Sequence, residues 1–409
     1  MDNLEFSPEK IKAQKKKYFA SFLWKLTLAL VCIIVLQFLI YIPLMIIGGV
    51  FTELFTNPSY SLAGIFDPAV SEKVISSIFS SLRLIMLALT DGAGALILFL
   101  LTKKNMKAPA KRNMPFGYWV VAFLICFGFG GIFMIVGKIV ESFMLLPGTI
   151  IKSVFSIPLT GDVTGVVESI VYADNSWLYF FVQVLVAAVL VPIIEELIFR
   201  KLIIDNTSRY GYGAAVMISA FTFAVFHGNF TQFFYAFALG MIFAYVYAFT
   251  GKLRYTIFFH ICYNMYSSFV ISFANRLLPE GVLERLTDSV SKMTDAIKNN
   301  PDMAVQAYNR YLADIESFIK IPGFLLGITA LFVVRVFLLL LVITGIVLFL
   351  VFIGKAVKFR RNMPMGEKGT KRCAAFNYGA ILFYVFGVLA FGSYYLIANL
   401  SILATMFIK

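Results

Sequence analysis

Charge is scarce in this chain of 409 residues: Asp, Glu, Lys and Arg together make up 14%, against 60% hydrophobic residues and a mean hydropathy of +0.86. A water-soluble fold cannot cover itself with so few charged groups, so a soluble globular domain is excluded. Cysteine is sparse too, with Cys32, Cys126, Cys262 and Cys373 scattered and no CxxC spacing. Neither a disulfide framework nor a thiolate metal site follows. Histidine is rarer still, with only His227 and His260, and the HExxH spacing of soluble zinc proteases is absent. There is no internal repeat, no low-complexity tract and no Gly/Pro-broken pair of spans in matching halves, which weighs against an inverted-repeat transporter.

What the chain has is apolar runs of about twenty residues, the length that a bilayer core of roughly 30 Å selects. They predict nine spans, at 22–50, 82–102, 116–138, 176–203, 212–227, 230–250, 254–274, 324–354 and 374–398. The fold class is therefore all-α, a polytopic transmembrane helical bundle. Lys10, Lys12, Lys15, Lys16 and Lys17 precede the first run, which is too long for a signal peptide and is expected to remain as an anchor. The net charge of +13 suits a nucleic-acid binder in principle, but the basic residues form short strips beside apolar runs, so a nucleic-acid partner is not expected.

The strips alternate. Residues 101–113 carry Lys103, Lys104, Lys107, Lys111 and Arg112 without an acid, and 355–372 carry seven Lys/Arg against Glu367 alone. Residues 51–80 and 141–175 are acidic or balanced. By the positive-inside rule the N-terminus is then cytoplasmic and the C-terminus outside, with Arg335 near the outer end of its span. In 276–320, Leu283, Leu286, Val290, Met293 and Ile297 repeat at helical spacing, and Val305, Tyr308, Leu312, Ile315 and Ile319 repeat it again. This predicts an outer hairpin of two amphipathic helices. Val163, Val166, Val167, Ile170 and Val171 predict a further short one. The resulting organisation is an N-terminal membrane region (1–175), a four-span core (176–275), the hairpin (276–322) and a C-terminal membrane region (323–409).

Both histidines fall in apolar segments, within about 65 residues of an intramembrane acid pair, Glu195-Glu196. An ionisable group in a span costs about 2.5–3.5 kcal/mol on insertion scales, so it is kept where a partner or a cavity receives it. Glu196 stands one turn before Arg200, the favourable order for an ion pair, although Arg200 and Lys201 also fit a basic membrane boundary. Glu195 points about 100° away on an α-helix and is available as a base or ligand. Phe223 and His227 share one helix face, and His260 and Asn264 share another. Glu195, His227, His260 and Asn264 can converge from three helices as a base, two imidazoles and an amide donor, an inventory suited to hydrolysis. Asp91, in Thr90-Asp91-Gly-Ala-Gly-Ala95, reads as a hydrogen-bonded acid at a close helix packing.

These residues resemble a family. Glu195-Glu196-Leu-Ile-Phe-Arg200 matches the EExxxR motif, Phe223 to His227 matches FxxxH, and His260 to Asn264 matches HxxxN, in order and on separate spans. They are the signatures of the CPBP (Abi) family of CAAX prenyl endopeptidases and bacteriocin-processing proteins. The resemblance covers about 176–275. It implies an intramembrane endopeptidase acting on a membrane-associated protein or peptide in a bacterial cell membrane, with Glu195 activating water and Glu196 and Arg200 supporting it. His227 and His260 with a carboxylate would also make a zinc set, so a metalloprotease stays open beside a metal-free mechanism. The competing readings are a non-catalytic scaffold or bacteriocin-immunity factor that binds a partner protein, and a transporter.

A geometric tension accompanies this reading, because His227 falls near the far end of its span while Glu195 and His260 fall in the inner halves of theirs. A tilted or deeply starting fifth helix, and a water-filled cavity below the surface, are expected to reconcile them.

Overall fold

Inside a bilayer no water is available to backbone N–H and C=O groups, so each spanning segment must satisfy its own, and an apolar run becomes a helix. The computed structural model describes residues 8–57, 68–154, 176–227, 230–279, 282–299 and 304–361, and among these it is helical with no strand. The helices are α1 (Pro8–Thr56), α2 (Pro68–Thr102), α3 (Phe116–Val154), α4 (Trp177–Tyr210), α5 (Tyr212–Phe226), α6 (Phe230–Thr250), α7 (Leu253–Arg276), α8 (Val282–Asn299), α9 (Ala304–Ile319) and α10 (Phe324–Arg361).

Seven of them, α1 to α4, α6, α7 and α10, are long and apolar enough to cross a membrane, the architecture of a multi-pass membrane protein. The fifth expected span is α5, a shorter apolar helix of 15 residues. The ninth, at 374–398, lies outside the described residues, as do Cys373, the amphipathic segment at 163–171 and most of the basic strip 355–372. Several helices overrun the expected boundaries. α1 continues to Thr56, α2 begins at Pro68, and α4 continues to Tyr210. Hydropathy ends where lipid contact ends, whereas the hydrogen-bond ladder continues into water.

The chain forms two compact units, residues 1–264 with 341–409, and residues 265–340. In the second, α8 and α9 pair as the expected hairpin. Ser289 donates to Asp314 (2.8 Å), and Leu278, Val282, Phe318 and Phe324 make its apolar core.

In the first unit α1 packs along α2, α3 along α6, and α5 along α6. Its largest apolar cluster joins Phe19, Leu26 and Ile33 of α1 to Phe199 and Ile203 of α4 and Phe223 of α5. Three loops meet at one end of this unit. The backbone N–H of Lys107 donates to Asp205 O (2.7 Å), that of Arg112 to Thr250 O (2.8 Å), and Tyr247 Oη donates to Asp205 Oδ1 (2.9 Å). The turn from α4 to α5 depends on Gly211, whose φ of 110° disfavours any residue with a Cβ.

At the α5/α6 crossing a Cβ on Gly240 would sit 3.1 Å from Ala220 Cα and 3.1 Å from the Phe223 ring. Gly240→Val is therefore expected to overpack the crossing and destabilise the protein by about 1–3 kcal/mol. A lowered midpoint of thermal unfolding in detergent is the readout.

Candidate active site

The site begins at a proline. Pro192 has no N–H to give to the Ala188 carbonyl one turn back, and α4 widens into π turns over Val186–Leu190 and Glu196–Leu202 on either side of it. The Val191 N–H accordingly reaches five residues back, to Val186 O. Such π turns recur at functional sites. Glu195 and Glu196 lie at the junction between the short α segment and the second π turn.

Both acids reach one imidazole. Glu196 Oε1 is 3.0 Å from His260 Nδ1, and Glu195 Oε2 is 3.4 Å from His260 Nε2. The expected divergence of the two carboxylates by 100° is thus corrected: they hold His260 from its two sides. The ring enters between them. All three are buried, with Glu195 6%, Glu196 0% and His260 4% exposed.

Arg200 is also fully buried, so it is not the boundary cation that its position allowed. Its Nε lies 3.1 Å from Glu196 Oε2, a charge contact in which the N–H is not aligned on the oxygen. Nη1 and Nη2 have no hydrogen-bond acceptor among the described residues. The guanidinium instead lies over two aromatic faces, 4.3 Å from the Phe223 centroid and 5.2 Å from that of Phe243. A desolvated cation–π contact contributes about 2 kcal/mol.

Phe223 is the hub of the cluster. Its ring centroid lies 4.8 Å from His227, 5.5 Å from His260 and 5.2 Å from Phe199. The two histidines therefore stand on the same aromatic ring. Phe243, 5.4 Å from the His260 ring, closes the other side and had no sequence signal among 44 Phe.

His227 Nδ1 is 2.8 Å from Phe223 O. A carbonyl only accepts, so the proton sits on Nδ1 and the neutral ring keeps Nε2 as an acceptor. Asn264, one turn past His260, donates from Nδ2 to Ala187 O (3.1 Å), tying α7 to the first π turn of α4. His227 and Asn264 are half-buried.

The depth tension resolves through the longer α4. Glu195 is 16 residues before Gly211 (211 − 195) and His227 is 16 after it (227 − 211), so the two ends of the hairpin bring them to similar depth. Glu196 stands nine residues before Asp205, and His260 nine after Gly251, about 14 Å below the tied loops at 1.5 Å per residue. Cavities of about 240 and 90 Å3 occur in this unit, and neither is lined by Glu195, His227, His260 or Asn264.

Asp91 belongs to the same neighbourhood. It is buried on α2, accepts from Gln37 Nε2 of α1 (3.1 Å), and lies within electrostatic reach of Glu195. Its hydrogen-bonded packing was expected; Gln37 as the partner and Glu195 as the neighbour were not. Gln37→Leu leaves a buried acid without this donor and is expected to destabilise by about 1–3 kcal/mol. The check is the shift in unfolding midpoint relative to Asp91→Asn/Gln37→Leu, which removes the acid as well and should recover part of the loss.

Zinc does not fit this arrangement. Among the described residues no three His, Cys, Asp or Glu side chains gather with metal-holding geometry. Both ring nitrogens of His260 face carboxylate oxygens, and His227 spends Nδ1 on Phe223 O. A structural tetrahedral site needs at least three protein donors around one point, and His227, His260 and a carboxylate are not gathered into such a group among the described residues.

The geometry defines a class: a multi-pass helical membrane protein with an acid–imidazole cluster buried within its spans. Residues 177–266, which contain all three motifs, match the family model described as Rce1-like, type II CAAX prenyl endopeptidase, in agreement with the CPBP resemblance. Neither a search of curated proteins nor one of solved structures returned a match.

Proposed function

We propose that the protein is an intramembrane endopeptidase that hydrolyses a peptide bond of a membrane-associated protein or peptide by a glutamate-activated water. The observation that carries this reading is the contact of Glu195 and Glu196 with the two nitrogens of His260, inside the segment that matches an endopeptidase family.

The reaction divides among the residues as follows. Glu195 takes a proton from water while Nε2 of His227 accepts the other water hydrogen and orients the lone pair. The oxygen bonds to the carbonyl carbon, and Asn264 donates to the oxygen that becomes negative. The C–N bond then breaks, and the amine leaves with the proton that Glu195 took. His260, held by Glu196 and Arg200, keeps Glu195 in place and shares protons with it. No metal takes part in these steps. The end at which residues 103–113, 204–211 and 250–253 meet faces the cytoplasm, as its basic residues require.

Comparative profiling of short membrane peptides, in cells carrying the intact protein or its Glu195→Gln form, tests the proposal. An endopeptidase loses a defined set of peptides in the variant while the protein inserts at the same level. A scaffold or immunity factor keeps both its profile and its partner, and a transporter loses solute flux with an unchanged profile. Identical profiles at equal expression would overturn the assignment.

A further inference from the structure

In the second unit α9 carries two apolar faces. The first meets α8 and the core of the unit: Asp314 accepts from Ser289 (2.8 Å), and Ile315 and Phe318 pack with Leu278, Val282 and Phe324. The second lies beside it. Val305, Tyr308, Leu312 and Ile319 recur at helical spacing on one stripe, and all four are 45–71% exposed. The far side of the helix carries Gln306, Arg310 and Ser317, which are exposed as polar residues on water are. A continuous apolar stripe with a polar far side marks a surface that meets a protein or a membrane.

The connection to α10 decides between the two. The turn after α9 is tight: the Ile321 N–H donates to Phe318 O (2.9 Å), the Phe324 N–H donates to Ile321 O (3.1 Å), and Gly323 takes a φ of 85°. The Phe318 ring stands 6.2 Å from that of Phe324, the first residue of α10. The last turn of α9 therefore sits at the depth of the first turn of α10, a helix long and apolar enough to cross the membrane. At the start of that span Leu325, Leu326 and Phe332 are 59–68% exposed, as side chains on lipid are. Exposed apolar surface thus continues from the lipid-facing start of α10 through the turn to Ile319 and along α9. A helix with one apolar stripe, held this close to the end of a span, suits the plane where headgroups meet acyl chains. Tyr308, an apolar ring with a polar tip, suits that level too.

We propose that α9 lies in the membrane interface at the end where α10 begins, with Val305, Tyr308, Leu312 and Ile319 seated in lipid. The occupant of the stripe is the lipid surface itself, and the inference is independent of the endopeptidase reading.

The test uses the full chain reconstituted at one copy per phosphatidylcholine nanodisc, doped with a phosphatidylcholine that carries a photoreactive diazirine in its acyl chain near the glycerol. After illumination, mass spectrometry locates the lipid adducts. They are expected on Val305, Tyr308, Leu312 and Ile319 at a level comparable to Leu325 and Leu326, with few on Gln306, Arg310 and Ser317. Val305→Glu/Leu312→Glu should lower the adducts on 305–319 about tenfold, the loss of burying a large apolar side chain in lipid, while 325–332 keep theirs. Both positions are exposed, so the core at Phe318 is left intact. Gln306→Glu/Ser317→Glu adds the same charge to the polar side and should label as the wild type does. Adducts on 325–332 with none on 305–319, adducts shared equally between the stripe and the far side, or an equal loss in Gln306→Glu/Ser317→Glu would overturn the proposal. So would α9 adducts that disappear when two chains share a disc, an outcome that assigns the stripe to a second copy.

Discussion

Arg200→Ala is expected to cost the protein about 3–5 kcal/mol, because it removes the guanidinium paired with a fully buried carboxylate. Glu196 would keep the His260 contact and lose its countercharge. The cavity beneath Phe223 and Phe243 adds to the loss, since both rings rest on the guanidinium. Much of this penalty is the stranded acid rather than the worth of the pair. Arg200→Met/Glu196→Gln, which removes both charges and fills the space, should therefore be markedly more stable than Arg200→Ala alone. Equilibrium unfolding in mixed micelles checks the order. If the double variant were no more stable than the single one, the stranded charge would not be the cause.

His260→Ala is expected to lose about 10²–10⁴-fold in peptide cleavage, the usual contribution of a positioned proton-transfer group. With the ring gone, Glu195 and Glu196 face each other without the group that separates them, so Glu195 is no longer held for its water. His260→Gln can donate to only part of this pair at a time and should fall between the wild type and alanine. Phe223→Leu separates positioning from chemistry. It removes the ring shared by both histidines and Arg200 while leaving every ionisable group in place, so its loss should be smaller than that of His260→Ala. Cleavage rates per folded protein, normalised by unfolding midpoint, are the measurement.

Much of this could be read from the chain because bilayers are demanding. An apolar run of about twenty residues in lipid has little choice but to become a helix. Seven of the expected spans, the short fifth helix and the amphipathic hairpin follow from that. The acids and imidazoles were legible because each is costly in a span, so their presence implied mutual contact.

The details that escaped share a cause: they depend on deviations from ideal helix winding or on residues that are common in this chain. Treating α4 as a regular α-helix missed both its π turns beside Pro192 and the meeting of Glu195 and Glu196 at His260. Phe223 and Phe243 carry no mark that separates them from other phenylalanines, yet they sandwich Arg200. The zinc set looked plausible as an inventory, but its donors are not gathered into a group of three among the described residues. The depth mismatch of His227 came from ending the fourth span at 203 rather than at Tyr210.

The most direct measurement is isotope incorporation. Membranes containing the wild-type protein or Glu195→Gln, incubated in water enriched in oxygen-18, can be compared by mass spectrometry of the peptides they release. A glutamate-activated water puts one heavy oxygen into the new C-terminal carboxylate of a specific set of peptides, and Glu195→Gln abolishes that set while His260 and Arg200 remain packed. Labelled peptides released equally by both forms would contradict the account.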